Sequence, residues 1–313
     1  MTSSSSSALL KAYIPAMANS SLTDRNKGNP MHIDLVISGG AFNGAYAYGV
    51  IMYLLELVEQ NKLVINNVSG CSAGALCALC AATGVIDLDF PEKWANLKCD
   101  CRDNQTLDNL RVLVREYVDL CVKEDSGLAM LTNKLYITKT DIENGNHEVV
   151  SSWNTRDELV DDLISSCFIP YLINGEPRYK ERYVDGIAPH IFKNPDRKCM
   201  YVDLYSMHNN RWIKCLLTAN ENNPTQRIVE GLQECCKFLN NEKSYLCTWV
   251  DDWNMVSYTV FRLQFLIAYT MVILIEYSRR FQIPSVVKDN PLYKGVISTL
   301  MKLVQDSFYL GQY

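Results

Sequence analysis

The sequence predicts an α/β fold, and three observations carry that expectation. His32–Ser38 and Leu63–Val68 are short apolar, β-branched runs, and each leads through small residues into a helix-forming stretch, Ala45–Glu59 and Ala73–Ala82. Two strand–turn–helix units in succession build a sheet with helices packed on it. Further runs at Cys199–Leu204 and Trp212–Leu217 read as additional strands of the same sheet.

The 313 residues are 48% hydrophobic and 21% charged, which is ordinary folding material for one large domain or two smaller ones. A net charge of -5 without a Lys/Arg run gives no surface for nucleic acid, so no DNA or RNA partner is expected. Twelve cysteines are scattered along the chain, and the N-terminus lacks the charged-then-apolar pattern of a signal peptide. Reduced thiols in a cytoplasmic setting follow. Cys77 and Cys80 have the spacing of a metal pair but no second Cys or His pair, and Cys99 and Cys101 are too close together, so neither a metal nor another cofactor is expected.

Residues 1–30 combine the serine run Ser3–Ser7 with the turn formers of Ser20–Pro30 and read as a mobile tail. The first strand ends at Gly39-Gly40-Ala41-Phe42-Asn43-Gly44, a glycine-rich loop opening a helix with apolar residues at Tyr48, Met52, Leu55 and Val58. Bare backbone amides in such a loop can cradle a phosphate or an oxyanion. The loop lacks the Lys-Ser/Thr ending of a nucleotide loop, and its Gly-Gly-x-x-x-Gly spacing differs from the dinucleotide pattern.

The second strand ends at Gly70-Cys71-Ser72-Ala73-Gly74, which has the form of a nucleophile elbow. Gly70 and Gly74 permit the sharp bend, and the following helix directs its N-terminal amides toward Ser72. The competing reading is a small-residue turn where a helix packs closely on a sheet.

Helices are predicted from Pro91 and over Leu107–Val122, with Leu110, Val114 and Val118 inward. Leu135–Thr138 and His147–Ser151, joined through Asn144-Gly145-Asn146, form a hairpin. Thr155 and Glu158 make a capping box for a helix that ends before Pro170. Arg182–Gly186 then puts Asp185 at the end of a short strand, either as a turn-capping carboxylate or as a catalytic one. Beyond residue 226, Ile228–Leu239 reads as an amphipathic helix. The apolar run Leu263–Ile275 is too short to span a bilayer and suits a buried core helix, with an interfacial helix as the second reading. A last helix around Val296, Leu300 and Val304 packs on it.

Ile37–Gly44, Ser69–Leu76 and Tyr183–Gly186, in that order, resemble the patatin-like phospholipase family, as does Ser166–Pro170. The resemblance spans about residues 32 to 205. It implies a three-layer α/β/α sandwich with a central, mostly parallel sheet, and C-terminal helices added. It also implies a lipid acyl hydrolase of the phospholipase A or acylglycerol lipase kind, with a Ser-Asp dyad. Ser72 and Asp185 take the catalytic roles, and Gly39, Gly40 and Ala41 supply oxyanion amides. Gly44, Gly70, Gly74 and Gly186 complete the motifs. The domains are then a tail over 1–30, a catalytic domain over 31–225 and a helical region over 226–313. The expected partner is a lipid, met at a membrane or lipid-droplet surface.

The chain departs from the family's usual pattern at Ala41, where a third Gly is common, at Asn43, where Arg or Lys is common, and at Ile187, where Gly or Ala is usual. Those departures support a catalytically silent lipid-binding or scaffold alternative. His190, five residues after Asp185, keeps a Ser-His-Asp esterase in view. A carboxylate base places the acid limb of activity below pH 6, and a histidine base places it near 6.5.

Overall fold

Four consecutive side chains of β1 (Met31–Ile37) other than its ends, Ile33, Asp34, Leu35 and Val36, are almost wholly buried, and Ile37 follows them. A strand buried on both faces belongs in the interior of a helix-covered parallel sheet. β1 accordingly pairs in parallel with β2 (Leu63–Gly70) on one edge and β6 (Lys198–Val202) on the other. The computed structural model describes residues 13–19, 29–87, 89, 92–97, 99, 107, 109–170, 173–204, 224–280 and 291. Its seven-stranded sheet runs β4-β3-β2-β1-β6-β7, with β3 (Leu135–Asp141) parallel to β2. Antiparallel strands β4 (Asn146–Val150) and β7 (Cys247–Trp249) close the two edges.

The short strand β5 (Tyr183–Val184) pairs antiparallel with β3 at Thr140 and Asp141, while β2 pairs with β3 only as far as Ile137. Arg182, just before β5, donates to Asp141 Oδ2 from Nε at 2.9 Å and from Nη2 at 2.6 Å. This fork holds the Asp141 carboxyl well below its ordinary range.

Period-two alternation splits the sheet into two faces. Ile33, Leu35, Ile37, Met200 and Val202 join the large core with α2 (Gly44–Glu59) and α3 (Ala73–Thr83). That core also takes in α5 (Leu110–Cys121) and α6 (Arg156–Ser166), and the shorter α4, 92–97, adds Trp94 and Leu97. Val36, Cys199 and Tyr201 face the other way, against Phe192, Trp253 and Phe261. Helices and chain on both faces give the three layers expected.

Local signals appear where the sequence puts them. Gly145 turns the β3–β4 hairpin at φ +66°. The Thr155 hydroxyl caps α6 through Glu158 N at 3.2 Å, and the Glu158 carboxylate returns to the Asn154 amide at 2.7 Å.

Several expectations need correction or limits. Within the supposed tail, residues 13–19 form a helix, α1, with Ile14 and Ala18 buried in the main core. α2 is buried around most of its circumference, with Val50, Ile51 and Tyr53 inside while Leu55 and Val58 are half-buried, because α7 (Pro224–Leu239) covers its other side. Of the helical runs among the described residues, Ala41–Glu59 alone is long and apolar enough to cross a membrane, and it forms the protein core. In the described side chains of α8 (Met255–Arg280), the buried core helix expected of Leu263–Ile275 is not what the first turns show. Phe261 and Phe265 turn inward, but Leu263, Leu266 and Ile267 are 52%, 56% and 47% exposed. The strand expected at Trp212–Leu217, the helix around Val296–Val304 and the 225/226 boundary's approach through 205–223 lie outside the described residues.

Candidate active site

The end of β2 and the start of α3 touch backbone to backbone. A Cβ on Gly70 would come within 2.3 Å of the Gly74 carbonyl oxygen, and one on Gly74 within 2.4 Å of the Ser38 carbonyl. Only glycine allows that fit. Between them Ser72 adopts φ +53° and ψ -134°, a strained conformation for a non-glycine residue. Its carbonyl accepts the Ala75 amide at 2.8 Å as α3 begins, and its residue surface is 8% exposed. The 11-residue helix therefore directs its positive end at the hydroxyl.

Asp185 follows β5 directly. Because β5 continues the edge of β3 that β2 leaves, the chain after β5 meets the chain after β2. Asp185 Oδ1 accepts the Ile187 amide at 2.8 Å, and the carboxylate lies close enough to the Ser72 side chain for that side chain to draw its pKa down. Burial pushes its pKa up to about 6, against the opposing pull of the Ser72 side chain and the Ile187 amide. Ile187, the donor, sits at φ +58°, an unusual conformation for a β-branched residue.

One segment ties the two together. The Ser72 amide donates to Ser166 Oγ at 2.9 Å, the Gly186 amide to the Ser166 carbonyl at 3.0 Å, and the Asp185 amide to the Phe168 carbonyl at 2.9 Å. The end of α6 is thus a common template for both candidate residues. His147 on β4 adds a fourth tether, with Nε2 2.8 Å from the Gly186 carbonyl.

The glycine-rich loop leaves β1 against the first turn of α3, where Gly44, the first residue of α2, faces Ala73. Gly39 does not present a free amide, since its N–H donates to Cys71 Sγ at 3.0 Å. Among the described residues the amides of Gly40 and Ala41 have no protein acceptor. Ala41 holds φ +44° at the start of a 3-10 turn that ends at Asn43.

His190 lies apart from this pair. Its ring stacks on Tyr136 at 5.5 Å and meets Phe192 edge-on at 5.1 Å, and burial together with nearby His147 lowers its pKa. Neither Ser72 nor Asp185 is among its contacts. The sulfurs of Cys77 and Cys80 turn to backbone carbonyls, Gly44 at 3.5 Å and Val85 at 2.8 Å.

Sequence reasoning did not single out His147 or Arg227 on α7. Arg227 Nη1 donates to the Phe42 carbonyl at 3.1 Å and to Asn43 Oδ1 at 2.8 Å. It stands 184 positions from Asn43, so no local pattern announces it.

The model of the family described as patatin-like phospholipase matches residues 35–188. A mouse 1-acylglycerol-3-phosphate O-acyltransferase is 31% identical over 160 residues, 49% of this chain and 38% of that protein. The human omega-hydroxyceramide transacylase is 29% identical over 169 residues, 51% of this chain and 31% of that protein. Human patatin-like phospholipase domain-containing protein 2 is 28% identical over 160 residues, 49% and 32% of the two chains. The matched region is about a third of the length of each of these relatives. Glycine loop, elbow and aspartate turn all fall inside the matched span, and the chain belongs, through residues 35–188, to the patatin-like phospholipase family.

Proposed function

We propose that this chain is a lipid acyl hydrolase in which Ser72 is the nucleophile and Asp185 the general base. The observation that carries the reading is the placement of the buried Asp185 carboxylate beside Ser72, with the Ser166–Phe168 segment holding both turns and burial raising the carboxylate's proton affinity. A serine hydroxyl is a weak nucleophile until a neighbour takes its proton, and a carboxylate near pKa 6 accepts one far better than one near 4.

In the proposed cycle Ser72 Oγ attacks the ester carbonyl carbon as its proton passes to Asp185. The oxyanion that forms is met by the amides of Gly40 and Ala41 and by the positive end of α3. Collapse expels the alcohol, which takes the proton from Asp185 and leaves an acyl-Ser72. Water, deprotonated by Asp185, then releases the fatty acid and regenerates Ser72. One of the relatives is named an acyltransferase and another a transacylase, and a lipid hydroxyl replacing water in the second half-reaction gives acyl transfer with the same residues.

The exposed apolar face of α8 supports action at a lipid surface, with Val256, Val260, Leu263 and Ile267 in one stripe and Phe265 behind them against His147. Peripheral contact with a membrane or lipid droplet from the cytoplasmic side is part of the proposal.

The silent alternative draws on the unfavourable φ angles of Ala41 and Ile187. Reaction with a fluorophosphonate, followed by mass mapping, separates the two. Labelling of Ser72 that is lost in Asp185→Asn supports the hydrolase. A folded wild-type protein without label on Ser72 overturns it.

A further inference from the structure

Arg227 occupies an expensive position. It stands in the first turn of α7, where the helix dipole disfavours a cation, and it is 2% exposed, so its guanidinium has left water. What it touches is the loop that carries the candidate oxyanion amides. Nη1 bonds both the Phe42 carbonyl and Asn43 Oδ1, and the guanidinium lies 5.4 Å from the centre of the Tyr46 ring. Asn43 passes the tie onward, donating from Nδ2 to the Leu204 carbonyl at 3.1 Å, while the Leu204 amide donates to Ser38 Oγ at 2.7 Å. The Trp94 indole adds a second donor to the Phe42 carbonyl at 3.2 Å. Both ends of the Gly40–Asn43 turn are therefore clamped.

A second, independent observation fixes where Arg227 sits. α7 and α2 cross with their backbones in contact, since a Cβ on Gly231 would lie 2.0 Å from the Tyr46 carbonyl oxygen and one on Gly49 2.0 Å from that of Ile228. The turn of α7 that bears Arg227 cannot drift relative to the start of α2.

Inside the clamp, Ala41 is held at φ +44°, which an alanine leaves when it is allowed to. Relaxation there rotates the Gly40–Ala41 peptide and swings the Ala41 amide away. We infer that Arg227 is a positioning residue of this loop, holding the peptide of Ala41 in the orientation that aims its amide at the oxyanion and placing a positive charge behind it. The inference rests on the proposed role of Ser72 and adds to it a residue far from the dyad in sequence.

The test uses the full chain with a soluble short-chain ester, and fluorophosphonate labelling of Ser72 as a second readout. Arg227→Gln is expected to lower kcat 10- to 100-fold, a part of the 10²–10³ typical for losing one oxyanion donor. KM and the acid limb of the pH profile stay within twofold and 0.3 unit, because the dyad is untouched. Adding Ala41→Gly, whose glycine accepts the left-handed conformation without a clamp, is expected to recover at least a third of the loss on a logarithmic scale. A merely structural role predicts no such recovery. If Arg227→Gln does not fold, Arg227→Lys keeps the cation and loses the planar guanidinium whose Nη1 bonds both Phe42 and Asn43, with an expected 3- to 10-fold loss that Ala41→Gly again reduces. Unchanged kcat in the folded variant, or a loss that Ala41→Gly leaves as it was, overturns the inference. Wild-type protein whose Ser72 takes no label overturns the proposed function instead, and so distinguishes the two failures.

Discussion

The Ser72 amide and the Ser166 hydroxyl meet at 2.9 Å, while the carbonyl of that same Ser166 receives the Gly186 amide at 3.0 Å. One fully buried residue thus grips the turn before α3 with its side chain and the turn after Asp185 with its backbone.

Ser166→Ala removes the acceptor and leaves the buried Ser72 amide unsatisfied. That costs about 1–3 kcal/mol of stability. Activity falls more than stability alone explains, by about tenfold in kcat/KM at temperatures where the variant stays folded, because the strained Ser72 conformation loses its anchor. Thermal unfolding together with initial rates on a soluble ester checks both halves, and a destabilised variant with full activity contradicts the anchoring role.

Asp185→Asn abolishes turnover and stabilises the fold. The Asp185 pKa is about 6 in the folded chain against 3.8 for an unperturbed carboxyl, so folding favours the protonated form. Its stabilising effect is complete below pH 4 and is lost as pH rises through 6, leaving a buried charge at neutrality. A shift of this size corresponds to a gain on the order of 3 kcal/mol at pH 7 for the uncharged amide. Denaturant melts of both proteins at pH 4 and pH 7 check it, since the difference must shrink at the lower pH.

The acid limb of kcat/KM falls near pH 6, above the range expected for a carboxylate in water and inside that of a histidine. Burial has moved the two alternatives together, and it has also lowered His190. The profile by itself no longer separates them, and the variant does: the limb persists in His190→Ala. Its disappearance there overturns Asp185 as the base.

Glycine has opposite effects at two positions with positive φ. At Ala41 the left-handed backbone costs roughly 1–2 kcal/mol, more than the roughly 0.4–1 kcal/mol that glycine adds in unfolded-chain entropy, so Ala41→Gly stabilises slightly. At Ile187 the side chain is only 5% exposed, and losing it costs about 3 kcal/mol or more, which exceeds any relief of strain. Ile187→Gly therefore destabilises. Equilibrium unfolding of the two variants compares the signs.

Replacing Leu263 and Ile267 on the outer face of α8 with Asp lowers binding to phospholipid vesicles and leaves turnover of a soluble ester intact. Vesicle co-sedimentation is the measurement, and undiminished binding rules out this face as the contact.

What could be read from the sequence was what neighbours in the chain decide. Gly70 and Gly74 flank Ser72 by necessity of one tight bend, Gly145 turns a hairpin, and Thr155 caps the helix beside it. The short run 13–19 escaped because serine and asparagine flank it and its burial comes from the distant core. Periodicity could not say what α8 faces, since a helix apolar on all sides gives the same pattern in a core and at a surface. β7, only three residues long, draws its pairing from β6 and has little signal of its own. In the site, the diversion of the Gly39 amide to Cys71 and the reach of Arg227 into the loop both depend on contacts that close only after folding.

The placement of β1 has a consequence for synthesis of the chain. The first strand of the sheet gains β2 almost at once but waits for β6, which begins at Lys198, to cover its other edge. At 5–20 residues per second the ribosome takes roughly 8 to 30 s to travel from Ile37 to that point. For that interval the nascent chain holds out an apolar edge with unpaired amides and carbonyls, the kind of surface on which strands of other chains add. The hazard of edge-to-edge pairing is thus greatest before Ser72 and Asp185 are brought together, and a chain halted short of Lys198 is expected to aggregate.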